Sequence, residues 1–263
     1  MKNRRIGMRY VNLDIGEFNR IDTSCWDGFK NNVFIRLENK KTVDSQPEYE
    51  NVIKVPFMDL YKLFYIREIS MSDNTVYFYD MKRPDMKKFN VKFKKLNAKA
   101  QENHESDRKA RIVNMKESMV MQSVLQPIIK VPSHSTISDS EGNGIIMDTD
   151  ENGKENVLLM ENTMNVFASS YIANWKIIND IWQSFGEENF YIIPLSKHRS
   201  MCVKESYVSN NFEKSRQEYE DDMFTMLNKI NSDNSNWKDI LSYRLYYFIG
   251  DDGMRMMSIK EEK

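Results

Sequence analysis

Lys62 to Asp80 reads KLFYIREISMSDNTVYFYD, and this stretch decides the fold class. A helix competes at its start, because Leu60, Leu63 and Phe64 also fall on one helical face. The following MSDN is a turn sequence, however, and TVYFYD then alternates as the partner strand. We therefore expect a strand over about Lys62–Ile69 and an antiparallel hairpin. Upstream, Ile6, Met8 and Tyr10 alternate, as do Val33, Ile35 and Leu37 in NNVFIRLEN, with Trp26-Asp27-Gly28 expected as a turn between them. A polar run, KKTVDSQPEYEN, separates these strands from the hairpin.

Downstream, Lys92–Asn103 and Arg111–Val124 have helical character, the second ending before Pro127. Pro132–Gly144, rich in Ser and Gly, reads as a loop or linker. GIIMDTDENGKENVLLME places two apolar runs around Asn152-Gly153, which predicts a hairpin. In Asn165–Phe185 the residues Phe167, Tyr171, Trp175, Ile178, Trp182 and Phe185 recur at helical spacing, so they are expected to form one core-facing stripe. Asn165 suits the N-cap and Gly186 the residue just past the end. The strand NFYIIP and the segment SMCVKESYV follow, then a helix over Phe212–Ile230. LSYRLYYFIG and GMRMMSI, around Asp251-Asp252-Gly253, complete a last hairpin. There is no internal repeat. The expected class is α+β: antiparallel strands and hairpins packed against a few amphipathic helices in two lobes, 1–131 and 145–263, joined through 132–144.

Charge is unevenly spread. The 263 residues carry a net charge of −1, yet Met81–Lys116 holds twelve Lys/Arg against four Asp/Glu. Lys87, Lys88, Lys94, Lys95, Arg108 and Arg111 are the candidate binding cations, with aromatics such as Phe89 and Phe93 among them. Three readings stay open: a solvated helix face in a Lys/Asn-rich protein, a surface for nucleic acid, or internal pairing with the acidic runs Asp139–Glu161 and Glu213–Asp222. The near-neutral total favours pairing.

The motifs for common chemistries are missing. Asp148-x-Asp150-x-Asn152-Gly153 opens like a calcium loop, but Leu159 stands where the closing carboxylate belongs. His104, His134 and His198 are scattered and there is no C-x-x-C, so no metal is expected. Cys25 and Cys202 have apolar or aromatic neighbours and are expected to be buried and inert; their small number suits a reducing cytosol. No phosphate loop, dinucleotide fingerprint or nucleophile elbow occurs, and no cofactor is expected. Asp221 and Asp222 fall on the polar side of their helix. Two weak catalytic candidates are Ser196 and His198, just past the strand NFYIIP, where an imidazole is well placed to act as a base. No apolar run reaches membrane-spanning length, and none follows the basic start MKNRRIGMRY, so neither a membrane partner nor a secretory signal is expected. Eighteen methionines, with MRMM clustered near the C-terminus, suggest an adaptable binding patch.

Four stretches, in this order, resemble a family of gut anaerobes catalogued as domain of unknown function 5688: FIRLENK to VPFMDLYKLFYI (Phe34–Ile66), NVLLMENTMNVFASSYI (Asn156–Ile172), FYIIPLSKHRSMCV (Phe190–Val203) and LSYRLYYF (Leu241–Phe248). The resemblance implies a shared α+β fold and brings no activity with it. Where the family shows a second Ser and a Glu around its His, this chain has Leu195 and Arg199, so Ser196 and His198 alone match. The functional expectation is a bacterial, cytosolic, non-enzymatic protein with a protein partner, in the setting of a mobile element. The alternatives are nucleic-acid binding through Lys82–Arg111 and a hydrolase-like enzyme using Ser196 and His198.

Overall fold

In the computed structural model the described residues are 6–9, 21–22, 24–70, 75–106, 110–114, 136–138, 144–146, 156–162, 167–211, 215–233, 239–250 and 255–261. The chain divides into two compact units, Met1–Arg108 and Lys109–Lys263. That division lies upstream of 132–144, most of which falls outside the described residues.

The first unit is an antiparallel sheet of β1 (Ile6–Arg9), β2 (Val33–Asn39), β3 (Lys54–Phe57), β4 (Leu60–Ser70) and β5 (Thr75–Asp80), ordered β1-β5-β4-β2, with β3 also paired to β4. The β4–β5 hairpin is present, in register Tyr65↔Asp80 to Ser70↔Thr75. Every residue of β2 is buried, so alternation divides its seven residues between two covered faces. Val33 and Ile35 join Phe64 and Ile66 under α4 (Phe93–Glu105), whose Leu96 and Ala100 are fully buried. Two expectations change here. Trp26-Asp27-Gly28 opens a short helix, α1 (Trp26–Phe29), because Trp26 and Phe29 both reach that core; Gly28 is needed where a Cβ would stand 2.3 Å from the Asp22 carbonyl oxygen. The polar run contains α2 (Lys40–Ser45), capped by Asn39 accepting the Lys41 N–H, and a 3₁₀ turn, Pro47–Tyr49. Val43 and Tyr49 pack from these onto Leu63. A short helix, α3 (Arg83–Lys88), precedes α4.

The second unit holds a six-stranded antiparallel sheet, ordered β13-β12-β10-β11-β9-β6, of β6 (Ala110–Asn114), β9 (Val157–Asn162), β10 (Phe190–Ser196), β11 (Arg199–Lys204), β12 (Arg244–Ile249) and β13 (Arg255–Glu261). Among the described residues β7 (Thr136–Ser138) and β8 (Gly144–Ile146) pair with each other alone. Three helices accompany this sheet among the described residues: α5 (Trp175–Ser184), α6 (Glu205–Asn211) and α7 (Arg216–Asp233). On one face Tyr219, Met223, Met226 and Leu227 of α7 meet Tyr191, Ile193, Leu245 and Tyr247. On the other, Phe185 packs edge-on to Phe190, with centroids 5.3 Å apart, and Phe190 stacks on Phe248. The β12–β13 hairpin and the Phe212–Ile230 helix, described from Arg216, are as expected.

Three expectations fail in this unit. Residues 110–114 form a strand, because Ile112 and Val113 gain the β9 ladder there, while the remainder of the expected helix, 115–124, lies outside the described residues. The hairpin around Asn152-Gly153 is not made: β9 pairs with β11 and β6, and β8 with β7. Val157 to Met160 are buried without alternation, as suits an interior strand with neighbours on both sides. The third concerns the helix at Asn165. Phe167 sits in the left-handed region at φ 53°, a 3₁₀ segment follows over Ala168–Ala173, and the cap is Asn174, whose Oδ1 accepts the Lys176 and Ile177 N–H groups. Gly186, with φ 75°, does stand just past the helix. Tyr171, Ile178 and Phe185 are core, but Trp175 is 46% exposed because at N1 it sits outside the buried stripe.

Candidate functional site

Ser196 ends β10 and Arg199 opens β11, with Lys197 and His198 forming the two-residue turn between them. Ser196 Oγ accepts the His198 backbone N–H at 3.1 Å, which closes the turn locally. The His198 ring is held from two sides. Nδ1 accepts the Phe167 N–H at 3.1 Å, and Nε2 lies 3.4 Å from Asp239 Oδ1. The neutral ring therefore carries its proton on Nε2, toward the carboxylate. Around it, Ser169 Oγ donates to the Ser196 carbonyl at 2.5 Å and receives the Ser200 hydroxyl at 2.7 Å; Ser169 and Ser200 are wholly buried. The Lys197 N–H donates to the Asp239 carbonyl oxygen.

A serine, a histidine and an aspartate thus meet at one strand end, but the connections are not those of a nucleophilic relay. A relay needs the serine hydroxyl on one ring nitrogen and the carboxylate on the other. Here the Phe167 amide occupies that first nitrogen and the Ser196 hydroxyl answers a backbone amide. What the arrangement does chemically is join the 3₁₀ segment, the β10–β11 turn and the Asp239 strand entry. Leu195 packs in the core and does not serve this turn. Asp239 lies 41 residues beyond His198, and no spacing pattern in the sequence marks it as a partner.

The four family-like stretches now have places: β2 through β4, β9 into the 3₁₀ segment, β10 with β11, and β12 with its entry. A sequence model of the family of unknown function DUF5688 matches residues 9–249. The chain belongs to that family. No curated protein matches, and no solved structure does.

The candidate cations of the family member fall in several settings. Lys87 and Lys88 end α3, Lys94 and Lys95 stand in the first turn of α4, and all four are exposed. Arg111 pairs through its backbone with Glu161, and Arg108 lies outside the described residues, as do the acidic run 139–143 and the calcium-like residues Asp148, Asp150, Asn152 and Gly153. Among the described residues no cluster of three metal-ligating side chains occurs, and no helix is long and apolar enough to cross a membrane. His104 is buried in α4, and His134 is outside the described residues. Cys202 is buried, and burial pushes its thiol well above the ordinary range. Cys25, expected to be buried, is exposed, its Sγ donating to Asp22 Oδ2 at 3.6 Å. It precedes α1, where only the residues after it turn toward the core.

Two internal polar networks were not foreseen. In the first unit Arg36, 5% exposed, forks onto both oxygens of Asp80 at 3.1 and 3.0 Å and reaches Glu38 at 2.5 Å, beside Tyr49. In the second, the Tyr191 hydroxyl meets those of Tyr219 and the Glu220 carboxylate, while Arg216 spans Glu220 and Glu205, and Tyr247 donates to Glu205. The first was hidden by the alternation itself, since Arg36 and Glu38 alternate with Val33, Ile35 and Leu37, on the side of the strand that reads as a solvent face.

Proposed function

We propose that this protein is a non-enzymatic, cytosolic protein-binding protein, and that an extended apolar segment of a partner docks along the free edge of β13. The carrying observation is the pairing of that edge with exposed apolar side chains on both faces. β13 is the last strand of its sheet among the described residues. Met257 is 40% exposed, and registers with Tyr247 on the α7 face. Met256 registers with Phe248 on the opposite face, where the exposed Trp175 lies against Phe248 at 6.3 Å. A strand added beside Arg255–Ser258 places successive side chains toward Trp175 and toward Met257, with main-chain hydrogen bonds between them. Tryptophan carries a large share of binding energy at such contacts, and methionine adapts to the partner's shape. The β-bulge at Ser258–Lys260 limits the regular edge to the residues before it. A hydrolase at Ser196 and His198 has less support, because both ring nitrogens are engaged in holding the turn. The mobile-element setting rests on the Lys- and Asn-rich composition.

The test is affinity purification of the full chain from its native host across several salt concentrations, with Trp175→Ala and Met257→Asp in parallel. A stoichiometric partner retained by the parent and lost by both variants, at unchanged melting temperature, is the expected result. Recovery of a bare monomer, or a partner that both variants keep, overturns the reading.

A further inference from the structure

We propose that the α3–α4 surface of the first unit binds single-stranded nucleic acid, with lysines on the phosphates and Phe93 under a base. This surface is independent of the β13 edge. Three observations meet there. First, Lys87, Lys88, Lys92 and Lys94 are exposed, and none of them forms an ion pair with a carboxylate among the described residues. The cations nearby that do pair are others: Lys30 with Asp27 and Lys99 with Glu102. Second, the one acidic residue between Lys82 and Lys95 is already used, since Asp85 Oδ2 accepts the Lys82 N–H at 2.8 Å at the start of α3. Third, Phe93, flanked in sequence by Lys92 and Lys94, is 41% exposed while it packs at right angles to Phe64, with centroids 5.7 Å apart and rings at 89°.

The geometry of the connection keeps these groups close. Only Phe89 to Lys92 separate the two helices, with Asn90 at φ 51° making the reversal and the Val91 N–H donating to the Met86 carbonyl. Phe89 is anchored edge-on to Phe29 at 4.8 Å, and Lys88 Nζ lies 4.8 Å from the Phe89 ring centroid. A half-exposed aromatic ring, backed by the core and borne on the same pair of helices as unneutralised lysines, is the combination that single strands require: the ring offers a stacking face for any base, and the ammonium groups follow the backbone. A duplex keeps its bases stacked on each other and has no use for Phe93, so the exposed ring selects the single strand. An acidic protein would use the cations and leave the ring idle.

Fluorescence anisotropy on the full chain with labelled oligothymidine, oligouridine, a duplex of equal length and polyglutamate separates these cases. Single strands are expected to bind at low salt, with log K falling against log salt at a slope of about −3 for roughly four phosphate contacts. Phe93→Ala is expected to weaken that binding by about 10-fold or more, the loss of one stacked base. The combined change Lys87→Glu, Lys88→Glu, Lys92→Glu and Lys94→Glu is expected to abolish it with little change in melting temperature, since none of the four is buried or in an ion pair and Lys88 gives up only its exposed contact with the Phe89 ring. No binding of any single strand at low salt overturns the proposal. So does equal binding of duplex or polyglutamate with no effect of Phe93→Ala, which assigns the surface to general polyanion or acidic-protein contact.

Discussion

The two units each cover both faces of an antiparallel sheet over at least part of its extent, yet they place polar groups inside in opposite ways. In the first, full charges lie on the strands: Arg36 and Glu38 on β2 and Asp80 on β5, beside buried Tyr49. In the second, the strands contribute tyrosine hydroxyls, Tyr191 and Tyr247, and the charges that meet them, Glu205, Arg216 and Glu220, sit on helices at the border of the core. Arg216 is half exposed and lies over the Tyr247 ring at 4.6 Å. The difference is one of consequence. Arg36 and Glu38 are buried and rely on counter-charges in place of water, whereas a tyrosine brings a large apolar body and needs only its tip satisfied.

The sharpest way to break this comparison is Arg36→Leu. Removing the guanidinium leaves Glu38 fully buried without its cation, and a loss of about 3–5 kcal/mol is expected. Replacing Arg36 and Glu38 together by leucine is expected to recover much of that, because the buried charge goes with its partner. Urea denaturation of the parent and the two variants measures both; equal losses in the single and double variants contradict the account.

Alkaline pH sharpens the contrast. Burial, aided by Glu38, pushes the Tyr49 phenol up to about 12. In the second unit burial raises Tyr191, Tyr219 and Tyr247 as well, with the Tyr219 hydroxyl adding to the effect on Tyr191 and Glu205 to that on Tyr247. The fold holds these groups neutral, so their contribution is complete below an ordinary tyrosine pKa of about 10 and falls as pH rises from there through each raised value. With three such tyrosines against one, the second unit is expected to lose stability more steeply above about pH 10, the first losing its part between about pH 10 and 12. Hydrogen exchange resolved by segment reads the two separately, and Tyr49→Phe is expected to flatten the first unit's profile alone.

A smaller effect tests the displaced helix start. Asn174→Ala removes the acceptor for two amides at the head of α5 and is expected to cost about 1 kcal/mol. No change on that substitution contradicts the assignment of the cap.

Much of this architecture was legible in the sequence, and the failures share a cause. The β4–β5 and β12–β13 hairpins join strands that are neighbours in the chain, so alternation and a turn sequence were enough to place them. Ala110–Asn114 and Val157–Asn162 form strands through partners far away in the chain, and a local window sees only apolar residues compatible with a helix or a nearby hairpin. The Phe167 backbone turn is equally hidden, because it is secured by the His198 ring 31 residues on. At the candidate site Ser196 and His198 were visible as residue types at a strand end. The engagement of the His198 ring with Phe167 and Asp239 was not, since it depends on tertiary placement.

The most direct test of the binding assignment is amide hydrogen exchange on the full chain, free and with its purified partner. Slowed exchange at Arg255–Ser258, together with shielding of the Trp175 fluorescence from quencher, is the result expected if a partner strand adds to β13. Unchanged exchange over Arg255–Ser258, with the partner protecting some other surface, contradicts it.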